Sequence, residues 1–136
     1  MPSLVTEPGF ADAATALAHF ERRLGVETDC SDVHESLKSG ADFVLVDVRG
    51  PRLYAAGHVV GAVNIPHRTM TAERMAPYPK DTAFVVYCAG PHCNGANKAA
   101  IRLARLGYPV KEMIGGITGW LDEEFALEPA AEPRAA

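Results

Sequence analysis

The residue best suited to covalent chemistry is Cys88, which lies between a predicted buried strand at 82–87 and a predicted helix at 94–106. A cysteine reacts as its thiolate, and a free thiol with a pKa of about 8.5 is mostly protonated at neutral pH. A loop that turns from a strand into a helix N-terminus aims backbone N–H groups at one point, and Gly90 and Gly95 allow such a turn. We therefore predict that Cys88 is a nucleophilic thiolate, with an inert buried thiol as the alternative.

The same loop contains His92 and Cys93, so a metal site is the other chemistry to consider. Structural zinc takes four ligands, which usually come from two separated pairs. Cys30 is isolated in the sequence, and no second cluster accompanies the loop. We therefore expect no metal site.

The elements around the loop alternate between helical and strand-like patterns. Two apolar runs, 42–48 and 82–87, are typical of strands that are buried on both faces of a parallel sheet. The remaining predicted strands are 26–30, 62–65 and 110–114, and the predicted helices are 11–24, 32–38, 52–56, 71–75, 94–106 and 119–125. This order predicts an α/β fold, in which the ligand site lies beyond the carboxyl ends of the strands.

Composition limits the other possibilities. The 136 residues are 48% hydrophobic, which suits one domain with a packed core, and three cysteines do not make a disulfide scaffold. The formal net charge of -4 argues against nucleic acid as a partner. The first residues do not have the pattern of a signal peptide, and no stretch approaches the ~20 apolar residues that cross a bilayer. We expect a cytoplasmic protein that does not bind membranes.

Three motifs resemble those of the rhodanese-like family. They are DVR at 47–49 followed by Tyr54 and GHVVGAVNIP at 57–66, then VVYC at 85–88, and finally GGITGW at 115–120. The resemblance implies a parallel sheet of about five strands flanked by helices on both faces. It places a rhodanese domain at 26–127, after an N-terminal helical extension at 1–25 and before a flexible tail at 128–136.

The resemblance also implies roles for single residues. Cys88 matches the cysteine that forms a persulfide. Asp47 and His58 match structural positions near the site. The expected substrate-binding residues are Arg49 and members of the loop, namely Ala89, Gly90, Pro91, His92, Asn94 and Gly95.

The activity that these roles imply is sulfur transfer. Cys88 would take sulfane sulfur from thiosulfate or a persulfide and pass it to a thiophilic acceptor, either a small thiol or a protein, in two half-reactions. The reaction requires no cofactor.

The loop departs from the family pattern in two ways. Related phosphatases and arsenate reductases use Cys-x5-Arg, and Asn94 occupies that arginine position, which argues against both activities because a bidentate arginine is the usual clamp for phosphate. Cys93 is an additional cysteine, either inert or able to resolve a Cys88 persulfide into a disulfide. Two alternatives therefore stay open: a thiol redox or arsenate-reductase-like enzyme that uses Cys88 and Cys93, and a non-catalytic rhodanese module that binds a partner.

Overall fold

Five parallel strands form one sheet, in the order β1-β5-β4-β2-β3, in the computed structural model, which describes residues 1–129. The strands are β1 (Glu27–Thr28), β2 (Val44–Asp47), β3 (Val63–Asn64), β4 (Phe84–Tyr87) and β5 (Val110–Met113). The helices in this part of the chain are α1 (Ala13–Val26), α2 (Cys30–Lys38), α3 (Pro51–Ala56), α4 (Ala72–Met75), α5 (Gly95–Arg105) and α6 (Gly116–Asp122), with a 3₁₀ turn at His67–Thr69. The predicted α/β fold with five parallel strands is confirmed.

The two central strands are buried on both faces, as their valine-rich sequences predict. Along β2 and β4, Val46 and Val86 face a cluster that contains α5, whereas Leu45 and Val85 face a second cluster that contains Trp120 of α6. Because side chains alternate along a strand, Tyr87 faces the second cluster while the next residue, Cys88, belongs to the first.

Several boundaries differ from the sequence-based expectation, and three of the differences have a clear local cause. Helix α1 continues to Val26, so the strand predicted at 26–30 is reduced to Glu27–Thr28. Helix α2 begins at Cys30, two residues earlier than expected. Its N-cap is Asp29, whose carboxylate accepts a hydrogen bond from the Asp32 N–H at 2.8 Å. Helix α6 starts three residues earlier than expected, because Gly115 and Gly116, with φ of 92° and 56°, make the turn that begins it.

The chain beyond α6 remains attached to the domain as far as it is described. Glu128, the first residue of the predicted tail, exchanges backbone hydrogen bonds with His58 at 2.9 Å in an antiparallel bridge. Residues 130–136 of that predicted tail lie outside the described part of the chain. Within residues 1–129, no helix is long and apolar enough to cross a membrane.

A buried carboxylate joins the carboxyl ends of β2 and β4. Asp47, which has no exposed surface, binds the Arg49 guanidinium, with 2.7 Å between Oδ2 and Nη2. The Tyr87 hydroxyl donates to the same oxygen at 2.9 Å and accepts the Val59 N–H at 3.0 Å. Arg49 also donates to the Gly57 carbonyl at 2.6 Å. The network therefore connects both strand ends with the segment that leads to β3.

Replacing Tyr87 with phenylalanine tests this network. The substitution leaves the buried Val59 N–H without a partner and removes one donor from Asp47, so we expect the free energy of unfolding to fall by about 1–3 kcal/mol. Urea denaturation of Tyr87→Phe and of Tyr78→Phe gives the comparison, because the Tyr78 hydroxyl has no hydrogen-bond partner among residues 1–129. Equal stability of the two variants would contradict the assigned role.

Candidate active site

Cys88 lies directly after β4, at the carboxyl end of the sheet. From β2 the chain continues to β3 on one side of the sheet, and from β4 it continues to β5 on the other side. The crevice between the ends of β2 and β4 is therefore a topological switch point, where ligands bind in open α/β sheets. The Ile117 N–H donates to the Cys88 carbonyl at 3.1 Å, and the Thr118 N–H donates to the Ala89 carbonyl at 2.9 Å. These bonds fasten the start of the cysteine loop to the first turn of α6.

Glycines leave the space that the cysteine side chain occupies. A Cβ atom on Gly95 would lie 2.7 Å from the Cys88 Sγ and 3.4 Å from the Cys93 Sγ. A Cβ atom on Gly116 would overlap the Cys88 carbonyl oxygen. The expectation that Gly90 and Gly95 serve backbone freedom is not met, since neither has a positive φ. Gly95 is instead required by the close approach of two sulfur atoms.

The electrostatics of Cys88 differ from the prediction. Burial, together with a hydrogen bond and the charge from Cys93, raises the pKa of the Cys88 thiol to about 11, although N–H groups of Ala89 and Gly95 act in the opposite direction. The N–H groups of Ala89 and Gly95 therefore favour the Cys88 thiolate, but the hydrogen bond from the Gly95 N–H goes to the Cys93 Sγ. They do not make Cys88 the first group to ionise.

Cys93 takes the first negative charge of the pair. Partial burial opposes its ionisation, but hydrogen bonds from Cys88, Gly95 and Ala89 and the positive charge of Lys98 lower the pKa of the Cys93 thiol. The Gly95 N–H lies 3.4 Å from the Cys93 Sγ. Two interacting thiols titrate as a unit, so the first proton leaves the pair below the ordinary thiol pKa and the second leaves above it.

The predicted loop residues meet at one surface cavity. A cavity of about 490 Å³ lies over the loop, and its lining consists of Ala89, Pro91, His92, Cys93, Asn94 and Asn97. Gly90 and Gly95 are buried beneath it. The sequence therefore identified the residues that surround the cysteines, and their binding of substrate stays a prediction.

Arg49 and His58, two of the predicted residues outside the cysteine loop, make structural contacts. The Arg49 guanidinium binds the Asp47 carboxylate and the Gly57 carbonyl. The Arg49 side chain is only 8% exposed, and its charge still interacts with Cys88. The buried His58 ring stacks on Tyr54 at 3.8 Å, and its Nδ1 lies 2.9 Å from the Tyr54 carbonyl oxygen. The expectation that Asp47 and His58 are structural agrees with these contacts, and substrate binding by Arg49 stays a prediction.

Sequence reasoning missed several residues that position the loop. Tyr87, Ile117 and Thr118 each hold either the strand end or the loop backbone. Their positions in the sequence were the available signal, because Tyr87 precedes Cys88 and the other two lie in the GGITGW motif.

Cys30 does not take part in the site. It belongs to the cluster on the opposite face of the sheet, and burial, together with the charges of Asp29 and Glu123, raises the pKa of its thiol to about 11. Among residues 1–129, no group of three His, Cys, Asp or Glu side chains could hold a metal ion.

Comparison with known proteins agrees with this arrangement. The family model described as "Rhodanese-like domain" matches residues 29–123. The chain belongs to the rhodanese-like domain family. This rhodanese-like domain is 37% identical over 120 residues to the HTH-type transcriptional regulator Rv0324 of Mycobacterium tuberculosis, a match that covers 86% of this chain and 51% of the regulator. The chain thus spans about half the length of that curated relative.

Solved structures give the same result for the fold. The BH2092 protein from Bacillus halodurans superposes with a TM-score of 0.84 at 35% identity, covering 92% of each chain. The rhodanese-like domain of the Anabaena Alr3790 protein superposes with a TM-score of 0.68 at 25% identity, covering 81% of this chain and 86% of that one. The thiosulfate sulfurtransferase from Pseudomonas aeruginosa shares the fold, with a TM-score of 0.65 at 21% identity over 80% of this chain and 21% of that one.

The coupling between the two thiols predicts how their alkylation depends on pH. In the native protein, Cys93 should be labelled with a midpoint below that of a free thiol, and Cys88 with a midpoint above it. Cys93→Ser removes the neighbouring negative charge, so the Cys88 midpoint should move to lower pH.

Iodoacetamide labelling at a series of pH values, followed by peptide mass spectrometry, measures both midpoints. Cys30 is the internal control, since its burial does not depend on Cys93. A Cys88 midpoint that does not change in Cys93→Ser would contradict the coupling.

Proposed function

We propose that this rhodanese-like domain is a sulfurtransferase that carries sulfane sulfur as a persulfide on Cys88. The observation that carries the proposal is the position of the Cys88 sulfur, which follows β4 at the switch point and lies against Gly95, the first residue of α5, where the N–H groups of Ala89 and Gly95 act to lower its pKa. Backbone donors in this arrangement stabilise negative charge on sulfur. The outer sulfur of a persulfide carries such a charge.

The first half-reaction loads the cysteine. The Cys88 thiolate attacks the outer sulfur of thiosulfate, a sulfur–sulfur bond forms, and sulfite leaves with the electron pair of the broken bond. The thiolate arises when Cys88 passes its proton to the neighbouring Cys93 thiolate, since Cys93 is the group that ionises first. The positive charge of Lys98, which acts on the loop, favours the approach of an anionic donor.

The second half-reaction removes the outer sulfur from Cys88. A nucleophile such as cyanide or an acceptor thiol attacks the outer sulfur of the persulfide and takes it, and Cys88 leaves as a thiolate. The enzyme thus returns to its starting state without a net redox change when cyanide is the acceptor. Covalent catalysis of this kind predicts ping-pong kinetics.

Two relatives bear on this proposal in different ways. The Pseudomonas aeruginosa protein that shares the fold is named a thiosulfate sulfurtransferase, which agrees with the proposed chemistry. The Mycobacterium tuberculosis relative is named a transcriptional regulator, which favours the alternative of a module that binds a partner. The intact Cys88 and the cavity above its loop favour the sulfurtransferase.

Replacing Cys88 with serine tests the proposal. Native protein treated with thiosulfate should gain the mass of one sulfur atom on the Cys88 peptide and form thiocyanate when cyanide is added. Cys88→Ser should do neither, because the serine hydroxyl cannot form a persulfide.

The matched control is Cys30→Ser, which removes a thiol from the other face of the sheet and should keep both properties. Thiocyanate formation by Cys88→Ser at the native rate would overturn the proposal.

A second candidate function is reductive release of sulfide, and the contact between the two thiols favours it. The Cys93 thiol, which holds the proton taken from Cys88, passes it to the outer sulfur of the Cys88 persulfide and attacks the inner sulfur. A Cys88–Cys93 disulfide forms, the sulfur–sulfur bond of the persulfide breaks, and the outer sulfur leaves as hydrosulfide. Two equivalents of an external thiol then reduce the disulfide. This sequence also protects Cys88 from irreversible oxidation.

Sulfide measurement distinguishes the two functions. With thiosulfate and no acceptor, the native protein should release one equivalent of sulfide and lose two hydrogens across the Cys88 and Cys93 peptides. Cys93→Ser should still load, because Cys88 ionises at lower pH without the charge of Cys93, and should retain the persulfide on Cys88. If the native protein keeps its persulfide and Cys93 stays a free thiol, the sulfide-releasing function is excluded and simple transfer remains.

A further inference from the structure

A groove lined by cations lies beside the cysteine loop. It runs between the 3₁₀ turn and the exposed side of α5, and has a volume of about 620 Å³. We call it the cationic groove, and its charged and titratable lining residues are His67, Arg68, Lys98, Arg102 and Arg105. No acidic side chain of the described chain lines it.

Helix geometry produces the cationic groove. Lys98, Arg102 and Arg105 are spaced by four and three residues, so they share one face of α5. All three side chains are exposed, and the seven-residue step from Lys98 to Arg105 spreads them over about 11 Å of α5. Arg68 faces them from the 3₁₀ turn.

The charges of the groove are not neutralised by the domain itself. None of its lysine or arginine side chains forms an ion pair with a carboxylate of residues 1–129. Partial burial and the positive charges of Lys98, Arg68 and Arg102 lower the pKa of His67. The chain as a whole has a formal net charge of -4, so this concentration of positive charge is local.

The cationic groove lies next to the cavity over the cysteine loop. Lys98 lines the groove, and the preceding residue, Asn97, lines the cavity together with Cys93. The charge of Lys98 also acts both on His67 in the groove and on Cys93 in the loop. A chain that lies in the groove is therefore close to the cavity over the loop.

We propose that the cationic groove docks an acidic polypeptide segment of a protein that accepts sulfur from Cys88, an inference that rests on the proposed function. The groove is too long for thiosulfate, but an extended peptide of about three or four residues, at about 3.3 Å each, spans its row of cations. Ile101, which is 51% exposed, also lines the groove and offers an apolar contact to such a peptide.

Charge distribution favours a short acidic segment over a nucleic acid. Duplex DNA presents about one negative charge per 1.7 Å over its whole length, so most of it would lie against a surface of net negative charge. A short segment meets only the cationic groove. Electrostatic attraction between the acidic segment and the groove also raises the rate at which the acceptor protein meets the persulfide.

Acceptor peptides test the docking. One peptide contains a cysteine flanked on both sides by aspartates, and the other has serines in place of the aspartates. At low ionic strength, we expect kcat/KM for sulfur transfer to the acidic peptide to be about tenfold higher or more, and added salt to remove the difference. The double variant Arg102→Glu/Arg105→Glu should lose the preference.

The matched control is Arg22→Glu/Lys38→Glu, which makes the same change of charge at exposed positions of α1 and α2 and should keep the preference. Mass spectrometry before each assay gives the fraction of Cys88 that is loaded, so a failure of the proposed function is distinguished from a failure of docking. If loading fails, fluorescence anisotropy with a labelled acidic peptide that has serine for cysteine tests the groove directly.

Equal kcat/KM for the two peptides, or a preference that the groove variant retains, would overturn the proposal. So would binding of a labelled DNA duplex that is tighter than binding of the acidic peptide and is lost in the groove variant.

Discussion

The carboxylate of Asp47 is removed from water at the point where β2 and β4 end, and the geometry of the candidate site depends on how that charge is held. Burying an ion costs several kcal/mol unless it is paired and fully hydrogen-bonded. Arg49 and Tyr87 meet this requirement together, and Arg49 also binds the Gly57 carbonyl. The network fixes the position of Tyr87, and the alternation of side chains along β4 then directs Cys88 to the opposite face, toward α5.

Once the direction of Cys88 is set, the environment of its sulfur follows from close packing. Gly116 allows the loop backbone to approach α6, and Gly95 allows both sulfur atoms to lie at the start of α5. Cys88 is buried and Cys93 is partly exposed, and the pKa of Cys88 is raised while that of Cys93 is lowered, so Cys93 is the first of the pair to ionise. The domain thus keeps its proposed sulfur carrier protonated beside a group that can take the proton.

Local patterns in the sequence were sufficient for the fold and for the location of the site. The valine-rich runs of β2 and β4 and the apolar spacing of α5 predicted the central layers, and the strand–loop–helix order placed Cys88 at the carboxyl edge of the sheet. Errors occurred where two local signals competed. Asp29 and Ser31 are both good N-caps, and Gly115, Gly116 and Gly119 can each begin a turn, so the ends of α2 and α6 were shifted.

Features that depend on contacts between distant segments could not be read from the sequence. The low pKa of Cys93 arises from the path of the loop and from Lys98, and the cationic groove arises because the 3₁₀ turn packs beside α5, about thirty residues later in the chain. The pairing of Arg49 with Asp47 is local by contrast, since the two residues are two positions apart, and substrate binding by Arg49 stays a prediction.

The central claim is that Cys88 carries the sulfur and that the loop amides hold it. A crystal structure of the thiosulfate-treated protein tests this claim most directly. We expect one additional sulfur atom at about 2.05 Å from the Cys88 Sγ, within hydrogen-bond distance of loop N–H groups. An additional sulfur on Cys93, with Cys88 unmodified, would contradict it.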